Sequence, residues 1–180
     1  MRKTLSVTRY RHSLSVARLC ERLAKRHRMN PERAFTVGLL HDCAKEWSPA
    51  KLQAYAQKKK LSIPHADFMR EHSPNMYHAY VGAVLAKEKG WVTDPVSLQA
   101  IMSHTLGNLR MSREDKVLYI ADFANHDRKR LRLRKIRQAA MGNLEEGFKM
   151  AMTQKLKWYV KRHKAIHPFA VDVWNAMIAR

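Results

Sequence analysis

With 180 residues and 46% hydrophobic content, the chain fits one ordinary domain with a real core and is too apolar to be disordered. Its two cysteines, Cys20 and Cys43, lack C-x-x-C spacing, which excludes a disulfide framework and suits a reducing cytoplasm. The formal net charge of +20 predicts attraction to polyanions: nucleic acid, nucleotides with several phosphates, or an anionic surface.

The start, Met1-Arg2-Lys3-Thr4-Leu5, has charge but no apolar region behind it, so it reads as a poor signal peptide. The first thirty or so residues predict a helix with Leu14, Val16, Ala17, Leu19, Cys20, Leu23 and Ala24 on one face. Arg18, Glu21, Arg22, Lys25 and Arg26 fall on the other face, and His12 lies near the helix start. Asn30-Pro31 opens a second helix with an N-cap and a proline at its first position. That helix is expected to run to Lys45 and to carry His41-Asp42 in its last turn, within Leu39-Leu40-His41-Asp42-Cys43-Ala44-Lys45.

Ser48-Pro49 opens a short helix ending in Lys58-Lys59-Lys60, and residues 61–72 read as a loop. Ser73-Pro74 and Asp94-Pro95 give two more starts, for helices over Met76–Lys89 and up to about His104. Gly107 and Asn108 mark a connection, and Ser112 with Asp115 forms an approximate capping box for the apolar helix that delivers Asp122. A basic run over 128–135 follows, then helices from about Ile136 to Met141 and from Leu144 to His163. His167-Pro168 breaks the chain before a last short helix. No stretch approaches membrane-spanning length. The pattern predicts an all-α single domain of roughly eight helices over 1–180, its core at about 8–140 and C-terminal helices at about 144–180.

His12, His41, Asp42, His78, His104 and Asp122 each lie beside apolar residues on successive helices. Buried imidazoles and carboxylates are costly unless paired or coordinated, and polar ligands at core positions of neighbouring helices are what a metal site in a bundle needs. Taken singly, each has an ordinary reading as a surface or satisfied side chain; the ordered set of six carries the argument.

That set, with Arg9-Tyr10-Arg11-His12, Gly38-Leu39-Leu40-His41-Asp42, His78-Ala79-Tyr80-Val81-Gly82, Ser103-His104-Thr105-Leu106-Gly107, Met111-Ser112 and Tyr119-Ile120-Ala121-Asp122, resembles the HD-domain superfamily of metal-dependent phosphohydrolases, and within it the YqeK-type branch. The resemblance implies an HD-domain helical bundle that cleaves diadenosine tetraphosphate symmetrically to two ADP. It implies two divalent or mixed-valence metal ions per chain, iron first and manganese as a substitute. His12, His41, Asp42 and Asp122 would hold one, His78 and His104 the other, and Asp42 would bridge both. A hydroxide activated between the ions would attack a β-phosphorus, with Asp42 and Lys45 as catalytic residues. Arg9, Lys45, Thr105, Gly107, Arg128 and Arg137 would contact substrate. Where the family has Glu-Pro after the aspartate, this chain has Asn125 and His126.

Two alternatives stay open. One is an HD phosphohydrolase or phosphodiesterase acting on another nucleotide. The other is a basic RNA-binding protein on an HD scaffold, suggested by the charge and the 128–135 run. Against it, the run has no interleaved aromatics and all six ligands are intact. Trp158, Tyr159, Phe169 and Trp174 are expected to close the core, with a homodimer contact as the alternative.

Overall fold

The structure, a computed structural model, describes residues 5–125 and 131–179. Ten α-helices appear there: α1 (Val7–Arg26), α2 (Pro31–Leu40), α3 (Pro49–Lys58), α4 (Ala66–His72), α5 (Tyr77–Glu88), α6 (Pro95–Ser103), α7 (Arg113–Ala124), α8 (Leu131–Gly142), α9 (Leu144–Lys161) and α10 (Pro168–Ile178). The described residues include no strand, so the all-α expectation holds.

The cap signals explain most boundaries. The side chains of Asn30, Ser48 and Asp94 accept from the backbone N–H three residues on, and each is followed by proline in the first helical turn. Ser112 and Asp115 form a complete capping box at α7. Ser73-Pro74 opens a 3₁₀ turn, Pro74–Met76, that feeds α5 directly. His167-Pro168, expected only as a break, is itself the cap of α10: His167 Nδ1 accepts from Phe169 N–H at 3.2 Å.

Three expectations are corrected. The second helix stops at Leu40, and His41-Asp42 lies in the turns that follow. There Cys43 N–H bonds to Leu40 O and Lys45 N–H to Asp42 O, a tightened i→i+3 pattern that turns the chain toward α3. The region 61–72 contains α4, whose short length and buried Met69 gave little periodicity to read. Helix α8 begins at Leu131, so Arg132, Arg134 and Lys135 are helical rather than part of a connection.

Two apolar clusters make the interior. The larger includes Val16, Leu19, Leu23, Leu40, Ala83, Ile101, Leu118, Ile120 and Phe148. The smaller includes Ala44, Leu52, Met69, Ala79, Val81 and Leu106. Each fully buried large side chain such as Leu19 or Ile101 contributes about 1.5–3 kcal/mol. Leu40 lies in one cluster and Ala44 in the other; Ile101 and Leu106 divide the same way, as do Ala83 and Ala79. His41-Asp42, His104 and His78 therefore sit along the seam between the clusters. Gly38 lets α2 approach α1 there, because a Cβ would lie 2.7 Å from Ala17 Cα. Phe169 and Trp174 pack on the larger cluster, whereas Trp158 is 38% exposed and does not close the core.

Candidate metal centre

All six sequence-picked ligands converge. His41, Asp42, His78 and His104 are buried; His12 and Asp122 are partly buried. Asp42 is the hub. Its Oδ2 lies 3.4 Å from His41 Nε2 and 3.8 Å from His12 Nε2, while its Oδ1 lies 3.1 Å from His78 Nε2 and 3.7 Å from His104 Nε2. Asp122 Oδ1 lies 3.2 Å from His12 Nε2 and 3.7 Å from His41 Nε2. The trios His12–His41–Asp42, Asp42–His78–His104 and His41–His104–Asp122 each bring three ligand atoms within 4.8 Å of one another.

Local geometry sets the direction of three imidazoles. His41 Nδ1 bonds to Gly38 O at 2.7 Å, His78 Nδ1 to Asn75 O at 2.5 Å, and His104 Nδ1 to Ile101 O at 2.6 Å. In every case the carbonyl belongs to the residue three positions earlier. A carbonyl only accepts, so Nδ1 carries the proton and the Nε2 lone pair faces the cluster. This is how metal-binding histidines are held in one tautomer. The consequence is an excess of acceptors. His41 Nε2 is buried with no hydrogen-bond partner, and the Nε2 atoms of His78 and His104 face each other at 3.0 Å. Two lone pairs at that distance require a proton or a cation between them. The donor set, four imidazoles and two carboxylates, suits a divalent transition metal.

The electrostatics agree. Burial lowers the affinity of His41 for a proton, but Asp42 and Asp122 outweigh it and push the imidazole up to about 10. Burial opposes ionisation of Asp42 and Asp122 too, yet the facing histidines hold both well below the usual carboxylate range. Burial, reinforced by the adjacent imidazoles His78 and His41, takes His104 down to about 4. Positive charge is thus demanded beside the acids and refused at His104.

Around the ligands, Arg9 Nη1 donates to Asp42 Oδ2 at 2.8 Å. Lys45 Nζ stands 3.3 Å from His78 Nε2. Burial lowers the pKa of Lys45, Asp42 and Asp122 oppose that, and Arg9 adds to it. The remaining positions are less direct. Thr105 is buried, its Oγ1 unpartnered and its carbonyl accepting from Lys155 Nζ at 2.6 Å. Gly107 has φ +86°, and a Cβ there would meet Val173 Cγ1 at 2.8 Å, so close packing of α10 accounts for this glycine. Arg137 Nη1 donates to the carbonyls of Ala124 and Asn125 at 2.7 and 3.3 Å and braces the end of α7. Buried Asn125 donates from Nδ2 to Asp122 O at 2.9 Å, so it anchors the turn behind a candidate ligand. Arg128 and His126 lie outside the described residues. Sequence reading missed the carbonyls of Gly38, Asn75 and Ile101; a backbone oxygen has no residue signature, and only the shared three-residue offset marks them.

Residues 9–123 match the family model of the HD domain. Over 179 residues the chain is 24% identical to symmetrical bis(5'-nucleosyl)-tetraphosphatase of Bacillus subtilis (strain 168), covering 99% of this chain and 94% of that protein. Over 123 residues it is 32% identical to a probable nicotinate-nucleotide adenylyltransferase/Ap4A hydrolase of Mycoplasma genitalium, covering 67% of this chain and 33% of that longer protein. A crystal structure from Clostridium acetobutylicum, described as a predicted HD superfamily hydrolase involved in NAD metabolism, superposes with a TM-score of 0.91 at 29% identity, over 99% of this chain and 93% of that one.

Proposed function

This chain belongs to the HD domain family, and on that premise we propose that it is a metal-dependent hydrolase cleaving a dinucleoside tetraphosphate, diadenosine tetraphosphate foremost, symmetrically to two nucleoside diphosphates. The observation that carries the reading is the division of Asp42: one oxygen faces His12 and His41, the other faces His78 and His104. That division supports two ions sharing Asp42, with His12, His41 and Asp122 on one side and His78 and His104 on the other. Iron is the first choice and manganese the second.

Bound there, a pair of such ions would lower the pKa of a shared water and neutralise phosphoryl oxygens. The chain's own groups supply the rest. Asp42 and Asp122 offset cationic charge. The three carbonyl-tethered imidazoles keep their Nε2 atoms fixed, so the centre needs little reorganisation. Arg9 uses one donor on Asp42, and its planar fork has others for a phosphate oxygen at the mouth. Lys45 brings an ammonium beside His78 and answers charge that develops on the leaving diphosphate. Arg137 acts at one remove, through the Ala124–Asn125 backbone; Thr105 and Gly107 shape the loop behind His104, and Arg128 completes the proposed substrate set. Among the described residues no helix is long and apolar enough to cross a membrane, and the two free, buried thiols fit work in a reducing cytoplasm.

Metal analysis of the purified protein, alongside product analysis with diadenosine tetraphosphate and an Asp42→Ala variant, tests the proposal. About two metals per chain, ADP as sole product and loss of turnover in the variant are expected. Metal-free protein or unimpaired hydrolysis by the variant would overturn the centre; ATP with AMP as products would overturn the symmetric cleavage.

A further inference from the structure

Helices α1 and α8 together hold ten basic residues, Arg9, Arg11, Arg18, Arg22, Lys25 and Arg26 among them, against one acid, Glu21. Glu21 is already paired with Lys25 one turn away. Arg11, Arg18, Arg22 and Arg26 are spaced seven, four and four apart, which places them on one face of α1, and all four are exposed. Their span of fifteen residues corresponds to about 22 Å of helix.

Helix α8 meets the C-terminal end of α1. His27, just past the end of α1, bonds through Nε2 to Ala140 O at 2.6 Å, and one turn earlier Arg22 comes close enough to Arg137, with Arg134 beside it, to depress its pKa, burial being the larger cause. The stripe on α1 and exposed Arg134 on α8 thus make up the proposed cationic face.

The geometry points to this face as a binding track for a nucleic-acid backbone, a second activity separate from the metal centre. Length argues for a polymer: about 22 Å accommodates roughly six successive phosphates at the 3.4 Å axial spacing of one strand, more than a four-phosphate bridge has. Chemistry argues against a membrane: a helix lying on lipid presents a continuous apolar face to it, and along the arginine stripe the apolar residues Val16, Leu19 and Leu23 are fully buried in the core, with Val7 at the far end of α1 the exposed exception. No Phe, Tyr or Trp occurs between Arg11 and Arg26, so the face offers no stacking platform and its contacts go to phosphates alone, independent of base sequence.

The test is fluorescence anisotropy of the full-length protein with a labelled 20-nucleotide single-stranded RNA and its DNA counterpart across a sodium chloride series. The salt slope should correspond to about five phosphates neutralised, with release of their counterions, near −3.5 on a log–log plot. The triple variant Arg18→Glu, Arg22→Glu, Arg134→Glu should lose at least 100-fold in affinity, keep its helical circular dichroism and keep hydrolysis of diadenosine tetraphosphate. A charge-matched control, Lys87→Glu, Lys89→Glu, Lys149→Glu, reverses exposed lysines elsewhere and should lose under tenfold. If charge reversal unfolds the protein, the same three positions changed to Gln should still lose at least tenfold. Equal losses in variant and control would mean that net charge alone attracts the polymer and would overturn the track. Absence of oligonucleotide binding at 50 mM salt, or binding only to phosphatidylglycerol vesicles, would overturn it as well.

Discussion

Replacing Gly38 by alanine should injure stability and metal binding together. Built at that position, a Cβ lies 2.7 Å from Ala17 Cα, 3.0 Å from Ala17 N and 3.0 Å from Cys20 Sγ. Two of these atoms are backbone, so no side chain can swing away and α2 must retreat from α1. Overpacking of this kind costs about 1–3 kcal/mol, and the better helix propensity of alanine returns up to about 1 kcal/mol. A net loss of about 1–2 kcal/mol lowers the melting temperature of a chain this long by roughly 2–8 °C. The retreat also carries Gly38 O, which receives the Nδ1 proton of His41 at 2.7 Å. Disturbing such a partner typically costs about 10–100-fold in metal affinity. Gly147→Ala is the control: its Cβ would meet Ala140 where α8 and α9 touch, away from the ligands. Melting of the chelated proteins and metal competition against a chromogenic chelator separate the effects. Both variants should melt lower, and only Gly38→Ala should lose metal affinity. Unchanged affinity in Gly38→Ala despite a lower melting point would refute the coupling between carbonyl and imidazole.

Arg9→Ala should reduce kcat/KM about 10–100-fold, mainly through KM, as expected for one charge-assisted phosphate contact; steady-state kinetics on diadenosine tetraphosphate decides it, and an unchanged KM would remove Arg9 from the substrate. Ser112→Ala should destabilise the chain by about 1 kcal/mol through loss of the capping box, read as a lower urea midpoint with metal content intact. His167 tests the acid limb. Burial, helped by nearby His65 and opposed by Asp172, takes its pKa down to about 4, while the unfolded chain takes up that proton near the ordinary value of about 6.5. The unfolded state therefore holds more protons between those values, and stability falls as pH drops from 6.5 to 4. His167→Asn keeps a capping acceptor and removes the titration, so its melting temperature should fall less steeply over that window; parallel profiles would contradict the assignment.

The six metal-centre candidates were legible as an ordered set of polar residues beside apolar ones, given meaning by the family resemblance, and the helix starts were legible because Asn30, Ser48, Asp94 and Ser112 are strong local caps. The fate of His41-Asp42 was not. Nothing at Leu40 announces a helix end, and the tight turns there are imposed by the approach of the second apolar cluster through Ala44. Nor was the bracing contact of Arg137 legible: the family resemblance implied a substrate contact, and nothing in the sequence marked the carbonyls of Ala124 and Asn125 that its guanidinium reaches. The bulky residues of α9 misled in the same way, since Trp158 lies among Arg162 and Lys164 at the surface rather than in the core.

The positions of the candidate ligands along their helices have one more consequence. His41 and His104 are the C-caps of α2 and α6, and Asp122 lies in the last turn of α7. Three helices therefore aim their carbonyl ends at one small volume, adding the partial negative charge of three peptide dipoles to two carboxylates. Such a field favours a cation over a phosphate chain, and Arg9, Lys45 and the raised proton affinity of His41 offset part of it. On the proposed function the expected binding order follows: the ions would enter first, and the positive charge they bring would let an anionic substrate settle. Saturation with nucleotide in the presence of chelator should accordingly fail at any concentration, whereas metal uptake should proceed without nucleotide.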